Sequence, residues 1–165
     1  MQADKPLKDR LPSRSVPAGY IYSDELLSFS CPPGWALQMK NTTGPPRSAT
    51  CIYPMDGSYL SMLWTEGEQP LNESLSRLLG YQAKKSGTGQ LQLTVATREK
   101  VAGYEALKMG ISLPVIDDRG DAVYVNMDNI VLNASGGHLI VQMLYPRGSD
   151  TKKHMLSSIE GLEFA

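Results

Sequence analysis

Histidine and cysteine are scarce in this chain, which removes most metal chemistry. Its 165 residues hold two histidines, His138 and His154, and two cysteines, Cys31 and Cys51. A zinc site needs about four ligands at compatible spacing, and no His-Glu-x-x-His or paired Cys-x-x-Cys occurs. The acidic residues show no EF-hand spacing. A Gly-x-Ser-x-Gly elbow and a phosphate-binding loop are also missing. Neither sign of charge dominates: 16 basic residues face 17 acidic ones, for a net charge of −1. Such a chain lacks the basic face that phosphate neutralisation demands. It equally lacks the excess that would dock it on an anionic membrane. No apolar run approaches the ~20 residues needed to span a bilayer. These absences point to a non-enzymatic protein with no metal and no cofactor.

What is present suits one soluble domain. Hydrophobic residues make up 41% and charged residues 20%, an ordinary balance for a globular fold. A chain this long can bury a core without staples. Residues 1–19 read as an extended arm, with prolines, scattered charge and few core-forming residues. The single domain is expected over 20–165. The arm favours an exported protein with its leader removed, Met1 then preceding a mature Gln2. A cytosolic start with a tail is the alternative.

Alternation predicts strands at Leu26 to Cys31, Ala49 to Tyr53 and Tyr59 to Thr65. Pro32, Pro33 and Gly34 stop the first, and Asp56-Gly57 turns between the second and third. Leu60, Met62 and Trp64 share one face. Leu71, Leu75, Leu78 and Leu79 then recur at helical spacing, with Asn72 as N-cap and Lys84 and Lys85 in the last turn. Gly87-Thr88-Gly89 reads as the loop that follows. Four more strands are expected. The first carries Leu91, Leu93 and Val95; the second carries Leu107, Met109, Ile111 and Leu113. The third runs from Ala122 to Leu132, and its change of apolar parity predicts a bulge near Asp128-Asn129. The fourth, His138 to Tyr145, follows the Ser135-Gly136-Gly137 turn. Asp150 is the expected cap of a last helix with Met155, Leu156, Ile159 and Leu162 on its apolar stripe. The order βββαββββα predicts an α/β (α+β) fold, with an antiparallel sheet of about seven strands flanked by helices.

Phe29-Ser30-Cys31-Pro32-Pro33-Gly34-Trp35 ends a strand in Pro-Gly-Trp near the start of the domain. With Ser74 to Leu79 in the first helix and Ile159 to Phe164 closing the chain, it resembles the PsbP-like superfamily over Tyr20 to Ala165. That group includes the PsbP subunit of photosystem II, Mog-type Ran-binding proteins and small bacterial envelope proteins. The resemblance implies a PsbP-like sandwich and makes Pro-Pro-Gly-Trp a structural stop, with Trp35 as a buried anchor. Its members differ in function, so it implies little about activity. In that context Cys31 and Cys51 lie opposite each other if the first two strands are neighbours, and a disulfide is expected. Two buried free thiols are the alternative.

Four weaker signals have bland explanations. Arg119-Gly120-Asp121 matches an integrin-binding tripeptide, but a hairpin turn accounts for it. Asp117, Asp118 and Asp121 could join Asp56 or Asp128 around a cation, or form a solvated turn. Lys152, Lys153 and His154 open the last helix, where cations oppose its dipole, hinting at an anionic partner. Asn41, Asn72 and Asn133 begin glycosylation sequons that matter only in a eukaryotic secretory pathway. His138 and His154 read as partly exposed polar residues.

The resulting expectation is a protein-binding module of the periplasm or cell surface. Its partner would be another protein: a secreted toxin that it inhibits, or an envelope component it adapts or chaperones. The loops expected to carry contacts are Asn41 to Arg47, Glu66 to Pro70 and Val115 to Asp121. Arg47, Glu66, Glu68, Asp117, Asp118, Arg119 and Asp121 are the expected contact residues. A small-ligand or metal-binding envelope protein is the alternative.

Overall fold

The computed structural model describes residues 21–23, 26–40, 46–86, 92–93 and 96–164. The arm, residues 41–45, the Gly87-Thr88-Gly89 loop, and Leu91 and Val95 lie outside the described residues. The chain order is β1 (Ile21–Ser23), β2 (Leu27–Ser30), β3 (Ala36–Lys40), β4 (Arg47–Ile52), β5 (Tyr59–Glu66), α1 (Leu71–Ser86), β6 (Gln92–Leu93), β7 (Thr97–Val101), β8 (Tyr104–Ile116), β9 (Ala122–Ala134), β10 (Gly137–Pro146), α2 (Thr151–Glu160) and β11 (Glu163–Phe164). The large antiparallel sheet runs β3-β4-β5-β10-β9-β8-β6, and β7 also pairs with β8. A second, small sheet is ordered β1-β2-β11.

Period-two alternation explains the central strands. Leu139, Val141 and Met143 of β10 lie directly opposite Trp64, Met62 and Leu60 of β5, and all six are buried. That face meets the small sheet and α2 through Leu27, Phe29, Met155, Ile159 and Leu162. The other face carries α1 over β8 and β9, where Leu75 packs on Leu107 and Val131. Each buried aliphatic side chain contributes roughly 1.5–3 kcal/mol, so the alternation sets the register strongly.

The expected bulge does not form. Asp128 and Asn129 sit in unbroken register with both β10 and β8. The parity change has another cause: β9 is covered on both sides. Ile130 and Leu132 join the core beneath α2, while Val131 faces α1. Two helix-start expectations are also corrected. Asn72 lies exposed within the first turn of α1, and the Pro70 carbonyl accepts the Ser74 N–H. Asp150 makes no side-chain cap bond. Ser149 Oγ instead accepts the Thr151 N–H at 3.2 Å.

Sequence reading passed over four strands. β1 and β11 are three and two residues long. β3 follows Trp35 directly. β7, Thr-Arg-Glu-Lys-Val, is exposed over its first four residues, so charge replaces the apolar pattern, as edge strands allow. Its turn to β8 uses Ala102 and Gly103 at φ 52° and 87°, the signs a two-residue hairpin turn requires.

Cys31 and Cys51 are bonded, with Cα atoms 5.9 Å apart. They are not on neighbouring strands, because β3 takes the place beside β4. Cys31 follows β2 of the small sheet and Cys51 lies in β4 of the large one. The bond therefore ties the two sheets together. Next to it, Gly34 turns at φ 85° and Trp35, 2% exposed, stacks on Tyr53 at 5.3 Å. Pro-Pro-Gly-Trp is thus a strand stop and an anchor.

Candidate functional site

The expected contact residues divide between opposite ends of the large sheet. Glu66 and Glu68 are exposed at the end where Gly137 pairs with Glu66. Asp117, Asp118, Arg119 and Asp121 form the turn between β8 and β9 at the other end. The ten residues of β10 separate the two ends, a distance of about 30 Å. Arg47 is not a surface loop residue. It begins β4 with the parity of buried Ala49 and Cys51, opposite Trp64, and is 7% exposed. The structure therefore assembles only the 117–121 group.

That group sits on a projecting ribbon. β10 reaches no further along β9 than Val125, and β6 no further along β8 than Ser112. Beyond these points Pro114 to Ile116 and Ala122 to Tyr124 have, among the described residues, only each other as ladder partners. Three residue pairs extend the ribbon by about 10 Å before the turn. Asp117 holds the turn, its Oδ1 accepting the N–H groups of Arg119 and Asp121 at 2.9 Å each. Gly120 supplies the φ of 85°. Asp118 and Asp121 are exposed.

The ribbon's flanks are apolar and exposed. Val115 and Val123 pair on one face, and Pro114 pairs with Tyr124 on the other, next to Ile116. Ile116 is 70% and Tyr124 42% exposed. Arg147 braces the base. Its guanidinium lies 4.4 Å from the Tyr124 ring centroid, and its Nη2–H donates to Ser112 Oγ at 2.6 Å. Its backbone N–H donates to the Tyr124 carbonyl at 3.0 Å. Met55, 79% exposed on the β4–β5 turn, belongs to the same end of the sheet.

A buried polar cluster was missed by sequence reading. His138 is 1% exposed rather than at the surface. Asn133 fixes its tautomer. Asn133 Nδ2 donates to the Gln69 carbonyl at 2.8 Å, and its Oδ1 accepts the Gln69 N–H at 3.1 Å. The same Oδ1 faces His138 Nδ1 at 2.8 Å, so Nδ1 carries the proton. Nε2 then accepts the Ser74 hydroxyl at 2.5 Å. Burial, with help from the Arg77 charge, holds the imidazole pKa below its ordinary value. The order Ser-His-Asn resembles a nucleophilic relay, but Ser74 is 3% exposed. These bonds fasten the start of α1 to the β9–β10 hairpin. Asn133 and His138 face each other across the Ser135-Gly136 turn, and that spacing was the available signal.

A second buried cluster fastens α2. Asp128 Oδ2 accepts the Tyr145 hydroxyl at 3.0 Å and lies 3.3 Å from Lys152 Nζ. Burial opposes the Lys152 charge, but Asp128 and Tyr145 outweigh it and raise the ammonium pKa. Burial, then the Asp128 charge, raises that of Tyr145. Asp128 is thus committed, and Asp56 caps its own turn through the Ser58 N–H. Neither joins the 117–121 turn around a cation. Among the described residues no group of three or more His, Cys, Asp or Glu is placed to hold a metal. Lys153 lies 3.6 Å from Asp150, so both helix-start lysines have carboxylate partners. His154 is exposed and borders a hollow of ≈ 270 Å³ with Pro33, Trp35, Tyr53, Asp150 and Thr151. No described helix is long and apolar enough to cross a membrane.

No family model matches the chain, and no curated protein matches it. Solved structures do share its architecture. Cyanobacterial PsbP (CyanoP) from Synechocystis superposes with a TM-score of 0.64 at 14% identity, over 90% of this chain and 94% of that one. A protein from Bacteroides thetaiotaomicron gives 0.57 at 13% identity, over 89% of this chain and 48% of the other. LpqN of Mycobacterium tuberculosis, described as involved in cell envelope biogenesis, gives 0.49 at 14% identity, over 89% and 85%. At these identities the likeness concerns the fold, and the chain that ends its β2 in Cys-Pro-Pro-Gly-Trp has the PsbP-like fold.

Proposed function

We propose that the chain is a non-enzymatic protein-binding module of the periplasm or cell surface, acting as an inhibitor (an immunity protein against a secreted toxin) or as an adaptor or chaperone. The observation that carries this reading is the braced ribbon with its exposed apolar flanks and acidic turn. Exposed apolar groups gathered on one projection mark interaction surfaces, and a rigid sheet carrying a functional loop is a common binding design. The groups that catalysis would draw on, Ser74, His138, Asp128 and Tyr145, are buried and spend their hydrogen bonds on holding helices. The Cys31–Cys51 bond supports an oxidising compartment.

The test is affinity purification of the tagged full chain from envelope and secreted fractions, followed by size exclusion. A stoichiometric protein that co-elutes supports the reading. Finding none, together with a reproducible thermal shift from one metal ion or metabolite, would replace it with the small-ligand alternative. The observation favouring that alternative is the hollow between Tyr53 and His154.

A further inference from the structure

The ribbon differs from an ordinary exposed hairpin in three ways, and together they constrain what it meets. It is apolar on both faces, with Val115 and Val123 on one and Ile116 and Tyr124 on the other. A flat partner would cover one face and leave the other in water. Only a cleft covers both. Its turn carries three carboxylates and one guanidinium, so the cleft floor must be basic. The same acidic turn opposes insertion between anionic lipid headgroups, and it opposes pairing with the equally acidic turn of a second copy. Finally, the ribbon is held in place before binding. A two-stranded hairpin alone is marginal, yet Arg147 and the Asp117 turn bonds fix this one.

From this we infer that the ribbon is an inserting arm, which enters a basic cleft of a partner protein, its turn leading and its two apolar faces clamped by the walls. The inference rests on the protein-binding reading and adds the partner's surface chemistry. Asp118 and Asp121 steer the approach, because complementary charge acts chiefly on association rate. Ile116 and Tyr124 set the lifetime, because desolvated apolar and aromatic anchors act chiefly on dissociation. Arg147 keeps the arm preorganised, which lowers the ordering cost of binding.

The test uses the full chain in its own cell, with the photo-crosslinking residue p-benzoylphenylalanine placed at Val115, or at Tyr81 on α1 as a control. The captured protein is then purified and its binding kinetics measured at two salt concentrations. The expected result is an adduct from position 115 and not from 81, with a partner that is basic where it is joined. D118K/D121K takes the turn from a net charge of −2 to +2, which lowers the association rate about tenfold at low salt and reverses its salt dependence, while dissociation changes less than about twofold. I116A/Y124A raises dissociation at least about tenfold at unchanged association. Asp118, Asp121 and Ile116 are exposed, so D118K/D121K and I116A melt at the parent value, whereas Y124A also removes the ring under Arg147, so I116A alone must reproduce the faster dissociation. Capture from position 81 alone, an acidic surface at the crosslink, or an association rate indifferent to D118K/D121K would overturn the inserting arm and leave the protein-binding reading standing. No adduct from either position and no co-eluting protein would overturn both.

Discussion

Reducing the Cys31–Cys51 bond perturbs one link between the two sheets while leaving every side chain in place. The bond closes a loop with a sequence separation of 20. In the chain-entropy treatment, closing a loop of that length removes about 11 cal/mol/K from the unfolded chain, or about 3 kcal/mol at 25 °C. For a chain of 165 residues, each kcal/mol shifts Tm by about 2–4 °C, so reduction is expected to lower Tm by about 6–12 °C. Calorimetry with and without reductant measures the shift, and urea unfolding should show a midpoint fall to match. The expected effect is at least as large in C31A/C51A, because the sulfur atoms are buried and their loss opens space. Reduction should loosen β1, β2 and β11 first, visible as faster amide exchange in those strands than in β5, β9 and β10. A Tm change below about 2 °C, or uniform acceleration across both sheets, would refute the view that this bond holds the small sheet to the large one.

Three further outcomes follow from the buried contacts. A Cβ added at Gly137 would stand 2.2 Å from the Trp64 ring, so G137A is expected to displace that ring and lose about 1–3 kcal/mol by urea unfolding, with a change in tryptophan fluorescence. His138 has a folded pKa below its unfolded value near 6.5. Its contribution is complete above about pH 6.5 and is lost as pH falls below it, because the unfolded chain then binds the proton that the folded chain refuses. Urea midpoints at pH 7.5 and 5 should diverge more for the parent than for H138Q. D128A strips the partner from Tyr145 and Lys152 and is expected to cost about 2 kcal/mol, since Lys152 can still turn toward water. D128N keeps an acceptor for Tyr145 and should cost less.

Alternation made β4, β5, β8, β9 and β10 legible, because one wet or half-covered face leaves a period of two in the sequence. The leucine stripe likewise announced α1. Where a strand is covered on both sides the pattern blurs, and Ile130-Val131-Leu132 imitated a bulge. Where a strand lies at an edge the pattern vanishes, as in Thr97 to Val101. The Asp117 to Asp121 turn was legible from its composition, but its projection was not, since that depends on how far β10 and the described residues of β6 run along their neighbours. Arg47 looked like a loop residue because its loop ends one residue later in reading than in structure. The Ser74, Asn133 and His138 cluster joins residues from three elements, so only the hairpin register exposes it.

Residues 113–125 are the proposed protein-binding surface. Amide hydrogen exchange of the full chain, alone and saturated with its co-purified partner, tests it directly. New protection is expected to concentrate in Leu113 to Val125, with the exchange of Glu66, Glu68 and α1 unchanged. Protection elsewhere on the molecule, with the ribbon exchanging as before, would contradict it.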